Sequence, residues 1–192
     1  MTDHKQPNPR STAILTFIAG GIFILAAALI PLLVTAQQKA LAGAAPILPP
    51  VAGNTPAPQL ALSDMQGKPV SLEDYRGQVI LVNNWATWCP PCKIEMPELQ
   101  TYYTTRAAQG FVVLAIESED PVAQVRAFVK DYGLTFPVWL DPNGLALEAF
   151  DNWNLPSSYV IDRQGMARYS WTGGINQSTL EQYVTPLLEE GK

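Results

Sequence analysis

The sequence predicts an α/β domain built on a mixed central sheet with helices on both faces, and two observations carry that prediction. Short, continuous apolar runs such as Val79–Val82 and Phe111–Ile116 read as strands buried on both faces. Between such runs lie segments with apolar residues at helical spacing, so strands and helices alternate along most of the chain. A third feature stands apart from the domain: no charged residue occurs from Ser11 to Gln38.

Composition bounds the function. The chain has 192 residues, enough for one core of ordinary size and an appendage. At 47% apolar and 15% charged it is too hydrophobic to be disordered. The formal charge is −5, and beyond residue 50 there are 9 basic against 16 acidic residues, which excludes a surface that tracks a phosphate backbone. The single histidine, His4, lies in a polar N-terminal tail, so mechanisms needing a histidine base lack their parts. Two cysteines make neither a disulfide scaffold nor a four-ligand zinc site. No metal is expected.

Residues 13–36 are almost wholly Ile, Leu, Val, Phe, Ala and Gly. A helix of about 24 residues rises roughly 36 Å, against a hydrocarbon core of roughly 30 Å. Pro31 and the Gly20-Gly21 pair suit a membrane span better than a soluble helix. Lys5 and Arg10 precede the run and only Lys39 follows before Asp64, so the positive-inside rule puts the N-terminus in the cytoplasm and the domain across the membrane. A cleaved signal peptide is the other reading, with Ala40-Leu41-Ala42 as its small-residue site. Signal cores run to roughly 7 to 15 residues, and the longer stretch here favours a retained anchor. Prolines 46, 49, 50, 56 and 58 then mark a semi-extended linker. The expected organisation is a cytoplasmic tail over 1–12, an anchor helix over 13–36, an Ala- and Pro-rich linker over 37–58 and the α/β domain over 59–192.

Within the domain, Gln59–Ser63 and Lys68–Leu72 flank Met65-Gln66-Gly67 and read as a hairpin. Val79–Val82 is the first buried strand. A helix is predicted from about Pro90, with Ile94, Leu99, Tyr102 and Tyr103 inward, ending before Gly110. Phe111–Ile116 is the second buried strand. Asp120-Pro121 supplies an N-cap and first-turn pair for a helix whose Val122, Val125, Phe128, Val129 and Tyr132 repeat until Gly133. Phe136–Leu140 and Ser158–Ile161 are further strands, and Asp162–Gly165 turns into another over Met166–Trp171. Ser178 with Glu181 forms a capping box for the last helix.

The chemistry lies in Trp88-Cys89-Pro90-Pro91-Cys92, placed directly between a buried strand and a helix start. A cysteine at a helix N-terminus faces unpaired backbone N–H groups and the positive end of the dipole, which lower its pKa below the free value of about 8.5. Cys89 is therefore read as the nucleophile. Cys92, three residues on and on the same face, is the resolving thiol and the more buried of the two. Prolines in the first turn cost little, because those N–H groups have no intrahelical acceptor. A permanent structural disulfide competes with this reading, but a four-residue loop stabilises little and the strand-to-helix context matches a redox motif. Half a zinc site is a weaker match. A peroxidatic cysteine would sit in P-x-x-x-T-x-x-C, where this chain has Val82 and Ala86.

The segment Val82-Asn83-Asn84-Trp85-Ala86-Thr87-Trp88-Cys89-Pro90-Pro91-Cys92-Lys93-Ile94-Glu95-Met96-Pro97-Glu98-Leu99 resembles the active-site segment of the membrane-anchored, extracytoplasmic thioredoxin-like proteins of the TlpA/ResA type. The resemblance covers about residues 57–190, through Gly67-Lys68-Pro69-Val70-Ser71-Leu72, Phe136-Pro137-Val138 and Leu155-Pro156-Ser157-Ser158-Tyr159-Val160-Ile161-Asp162. It implies a thioredoxin-like fold with an N-terminal β-hairpin extension. Pro156 would then be the cis-proline beside the dithiol, its loop pairing with an extended client backbone, and Pro97 a kink in the active-site helix. Trp88, Pro90, Pro91, Leu155 and Pro156 make up the implied client-binding set. Trp85 and Trp88 are expected to pack around the dithiol, with client contact by Trp88 left open.

Glu95 shares the helix face of Cys92 and matches the family's active-site glutamate; if partly buried it would have a raised pKa and relay protons, and otherwise it is a solvated carboxylate. Thioredoxins themselves carry an aspartate six residues before the first cysteine, where this chain has Asn83, which cannot ionise. Two departures stand out: Asn84 replaces the usual Phe, and Ser157-Ser158 replaces the usual Thr-Thr.

The function implied is a membrane-tethered reductase of client disulfides outside the cytoplasm, using the Cys89–Cys92 dithiol and no other cofactor. The resemblance names apocytochrome c as a client type, and a transmembrane electron donor and the membrane itself as further partners; nucleic acid is not one. A disulfide-forming oxidant, and a tethered client-binding module with an incidental dithiol, are the alternatives.

Overall fold

The computed structural model describes residues 48–190. The tail over 1–12, the anchor over 13–36 and the linker as far as residue 47 lie outside the described residues. Among the described residues no helix is long and apolar enough to cross a membrane.

The described residues form one sheet from β1 (Val51–Pro56), β2 (Ala61–Asp64), β3 (Pro69–Ser71), β4 (Val79–Trp85), β5 (Phe111–Ser118), β6 (Val138–Asp141), β7 (Ser157–Ile161) and β8 (Met166–Thr172). Their order across the sheet is β1-β8-β7-β4-β5-β6-β2-β3, with β4, β5 and β6 parallel and the remaining pairings antiparallel. Helices are α1 (Pro90–Arg106), α2 (Val122–Asp131), α3 (Leu145–Ala149), α4 (Gln177–Tyr183) and α5 (Thr185–Glu189). The thioredoxin-like mixed sheet with helices on both faces is thus present.

Every residue of β4 and β5 is buried, as continuous apolar runs in a two-sided sheet require. Alternation sends Val79, Leu81 and Trp85 to the face covered by α1, α2, α4 and α5, and Ile80 and Val82 to the face covered by α3 and the hairpin. The β4–α1 junction therefore sits at the C-terminal end of the central strand, where the chain leaves a rigid scaffold.

Several local expectations are corrected. The linker predicted over 37–58 ends earlier, because Val51–Pro56 pairs antiparallel with β8 as an edge strand. All six of its residues are exposed, so it has no buried face to produce an apolar alternation. Ile94 points outward at 64% exposure; the inward face of α1 is Cys92, Glu95, Met96, Leu99 and Tyr102, in which a carboxyl takes the place expected of an apolar residue. Pro121, not Asp120, occupies the N-cap of α2, and the Asp120 carboxylate serves another backbone group instead. The N-cap of α4 is Asn176, whose side chain accepts from the Thr179 N–H, while Ser178 lies inside the helix. The five-residue α3 is too short to show helical periodicity; Asp141 caps it by accepting from the N–H groups of Leu145 and Ala146.

Candidate active site

Cys89 is the N-cap of α1, and its Sγ accepts the Cys92 N–H at 3.3 Å. Pro90 and Pro91 fill the first helical turn, where their missing N–H groups cost nothing. The two sulfurs are joined as a disulfide, with Cα atoms 5.3 Å apart. Cys89 is 2% exposed and Cys92 0%, so the expected contrast in burial is slight in this oxidised form. Around the sulfurs Trp88, Pro90 and Pro91 are exposed, Trp88 at 59%, whereas Trp85 is buried against Phe128. Packing near the dithiol thus falls to Trp85, and Trp88 faces outward. Helix α1 continues through Pro97 to Arg106.

The loop before β7 completes the site. Ser157 pairs with Asn84 across β4 and β7, which places the preceding Leu155-Pro156 level with Trp85 at the end of the strand that feeds the dithiol. The Leu155–Pro156 peptide is cis. Leu155 is half-buried against the cluster that contains both cysteines.

Glu95 is buried, at 1% exposure, not solvated. Its Oε1 accepts from Asn83 Nδ2 at 2.8 Å and its Oε2 from the Ile175 N–H at 3.0 Å. Burial pushes its pKa up to about 8, against the pull of those two hydrogen bonds. Asn83 Nδ2 also donates to Ser158 Oγ at 3.0 Å, so the site where thioredoxins place an aspartate here supports the glutamate one turn into α1.

Two further acids belong to the site, Glu117, which the sequence reading did not single out, and Asp120, which it read only as a helix N-cap. Glu117, at the end of β5, is 1% exposed, and its pKa is raised to about 8 by burial first and then by the neighbouring Asp120 carboxyl. Asp120 Oδ2 accepts the Thr87 N–H at 2.8 Å, two residues before Cys89. The available signal was a glutamate closing the otherwise apolar run Phe111–Ile116. Among the described residues no group of three or more His, Cys, Asp or Glu side chains could hold a metal ion.

A disulfide-capable pair at a helix N-terminus, on a mixed sheet and beside a cis-proline loop, defines a thioredoxin-fold thiol-disulfide oxidoreductase. The AhpC/TSA family matches over residues 54–170. The thiol-disulfide oxidoreductase ResA of Geobacillus thermodenitrificans is 35% identical over 134 residues, covering 70% of this chain and 77% of that protein. ResA of Bacillus subtilis is 34% identical over 136 residues, covering 71% of this chain and 75% of that protein. Among solved structures, a putative thiol:disulfide interchange protein DsbE from Chlorobium tepidum superimposes with a TM-score of 0.66 at 28% identity, covering 70% of this chain and 96% of that one. The chain belongs to the ResA-type thiol-disulfide oxidoreductases of the AhpC/TSA family.

Proposed function

We propose that this oxidoreductase is a membrane-tethered reductase of protein disulfides, working outside the cytoplasm. The observation that carries the chemistry is the Cys89 sulfur at the N-terminus of α1 with Glu95 buried one turn beyond Cys92. In the reduced enzyme the Cys89 thiolate attacks a client disulfide, forming a mixed disulfide and releasing one client sulfur, which takes up a proton. Cys92 then loses its proton and attacks Cys89 Sγ, so the second client sulfur leaves as a thiol and the enzyme holds the Cys89–Cys92 disulfide. Two electrons pass to the client. Glu95, poised near neutrality, takes the Cys92 proton in this direction and returns it when the enzyme is reduced again. No cofactor beyond the dithiol is required.

The exposed Trp88, Pro90 and Pro91, with half-buried Leu155 and the backbone at buried Pro156, would seat an extended client segment. The uncharged run from Ser11 to Gln38 supports the tether. An oxidising compartment makes a tethered dithiol most useful as a local reductant, supplied by a transmembrane dithiol donor. Apocytochrome c, with paired cysteines that must be reduced before haem attachment, is the client type proposed. Tags placed after residue 60 should be reachable only from outside, and the full-length protein should stay in the membrane fraction. Recovery of a soluble form shortened near residue 40 would replace the anchor with a cleaved signal.

A further inference from the structure

Glu117 and Asp120 form a second acidic pair beside the dithiol, one that the exchange chemistry above leaves without a part. Glu117 lies opposite Trp85 in the parallel register of β4 and β5. The chain turns sharply after it, with Glu119 at a left-handed φ of 77°, uncommon for a residue bearing a side chain. The turn brings Asp120 back, so that its N–H donates to Glu117 Oε1 at 3.1 Å and its carboxyl meets that of Glu117. Asp120 Oδ2 accepts the Thr87 N–H at 2.8 Å, and Gln124 of α2 donates to Asp120 Oδ1 and to Thr87 Oγ1. One carboxylate therefore holds the loop that continues directly into Trp88 and Cys89.

Two carboxyl groups in contact, with Glu117 buried, do not both ionise without repulsion. The charged groups acting on Glu117 are Asp120 and Glu119, both acidic. Its neighbours in the flanking strands are Trp85 and Leu140, and α2 contributes the neutral Gln124, which is bonded to Asp120. Asp120 already accepts two donors, so a proton on Glu117, whose O–H can donate to Asp120, completes the arrangement.

We propose that Glu117 and Asp120 are positioning residues for thiol exchange, sharing one proton that keeps Asp120 on the Thr87 N–H and so keeps Cys89 seated at the N-terminus of α1. The proposal rests on Cys89 being the nucleophile. Loss of the shared proton sets two negative charges against each other beneath the loop, loosens the clamp and disfavours the Cys89 thiolate. Burial and the Asp120 contact put that loss near pH 8, within the range where thiols titrate.

The test follows alkylation of Cys89 by iodoacetamide against pH in the full-length chain carrying Cys92→Ser and Glu95→Gln. This parent keeps one thiol and lacks the other buried acid that titrates near 8. Two steps are expected: the rise from the Cys89 thiolate, and a fall in reactivity per thiolate as the acid pair loses its proton. Adding Glu117→Gln, whose amide remains a donor to Asp120, removes the second step and leaves the first. Adding Asp120→Ala removes the second step and lowers reactivity at every pH, and Asp120→Asn, which keeps an acceptor for Thr87, restores most of it. A second step that survives Glu117→Gln overturns the proposal, as does a parent profile with a single step. A parent whose Cys89 reacts at no pH overturns the nucleophile assignment, and this proposal with it.

Discussion

Asn84 on β4 donates its side-chain amide to Ser157 Oγ on β7 at 3.2 Å, with both side chains fully buried. The two departures from the family's active-site text are therefore one feature: a polar side chain at the end of a buried strand, and the serine placed opposite it in the strand register. The adjacent pair repeats the arrangement on the other face of the sheet, where Asn83 donates to Ser158.

Breaking the pair from one side leaves a buried amide without its acceptor, which costs about 1–3 kcal/mol. Ser157→Ala should lower stability by that order, and Asn84→Ala should do so by loss of both bond and packing. The double variant should lose less than the sum of the two, because the bond is then counted only once. Urea midpoints of the three variants check this, and strict additivity would show that the bond contributes nothing.

Within the motif the cysteines should not be interchangeable. On the proposed mechanism, Cys92→Ser leaves the attacking sulfur at the helix N-terminus but removes the group that resolves the mixed disulfide, so covalent client adducts should accumulate. Cys89→Ser should trap few or none. Non-reducing gels of membranes bearing each variant distinguish them, and equal trapping would reverse or erase the division of labour.

How far the site was legible depended on how local its signals are. The dithiol, its helix and Glu95 follow from spacing within one turn, and the structure brings Cys89, Cys92 and Glu95 together as that spacing requires. Pro156 reaches them only through the pairing of β7 with β4, which the resemblance supplied and residue patterns alone did not. The pairing of Glu117 with Asp120 was not legible, because a left-handed residue at 119 folds their carboxyls together. Asp120-Pro121 also looks like a helix start, and that local signal masked a longer-range bond to Thr87. The strand Val51–Pro56 was hidden for the opposite reason, since an exposed edge held by backbone pairing alone has no side-chain signature.

Glu95 should make stability and activity depend on pH in a definite direction. Its folded pKa is raised from an ordinary 4.5 to about 8, so between those values the folded state holds more proton than the unfolded one. Stability from this group is complete below pH 4.5 and is lost as pH rises through about 8. Glu117 acts in the same window and with the same sign. Glu95→Gln should therefore flatten part of the alkaline decline in urea midpoint and be more stable than the parent at pH 9. Its thiol exchange should be slower, with the limb near pH 8 displaced. A parent-like exchange profile in this variant would remove Glu95 from the proton relay.

Direction of electron flow is decided by the dithiol potential, which depends on how strongly the reduced form is favoured. A strong oxidant needs an attacking thiolate stabilised far beyond the ordinary cysteine range. Here Pro90 and Pro91 offer the Cys89 sulfur no N–H or polar side chain, and the Cys92 N–H is the donor it receives. The buried acids Glu95 and Glu117 act against a thiolate whenever they are ionised. On the proposed reading the couple is therefore a reducing one. Equilibrating the full-length protein in detergent with glutathione or dithiothreitol buffers should give a potential near or below that of thioredoxin, roughly −270 mV. A value near the roughly −120 mV of a dedicated oxidant would mean that the helix terminus outweighs the acids, and would make the enzyme a source of client disulfides instead of a reductant for them.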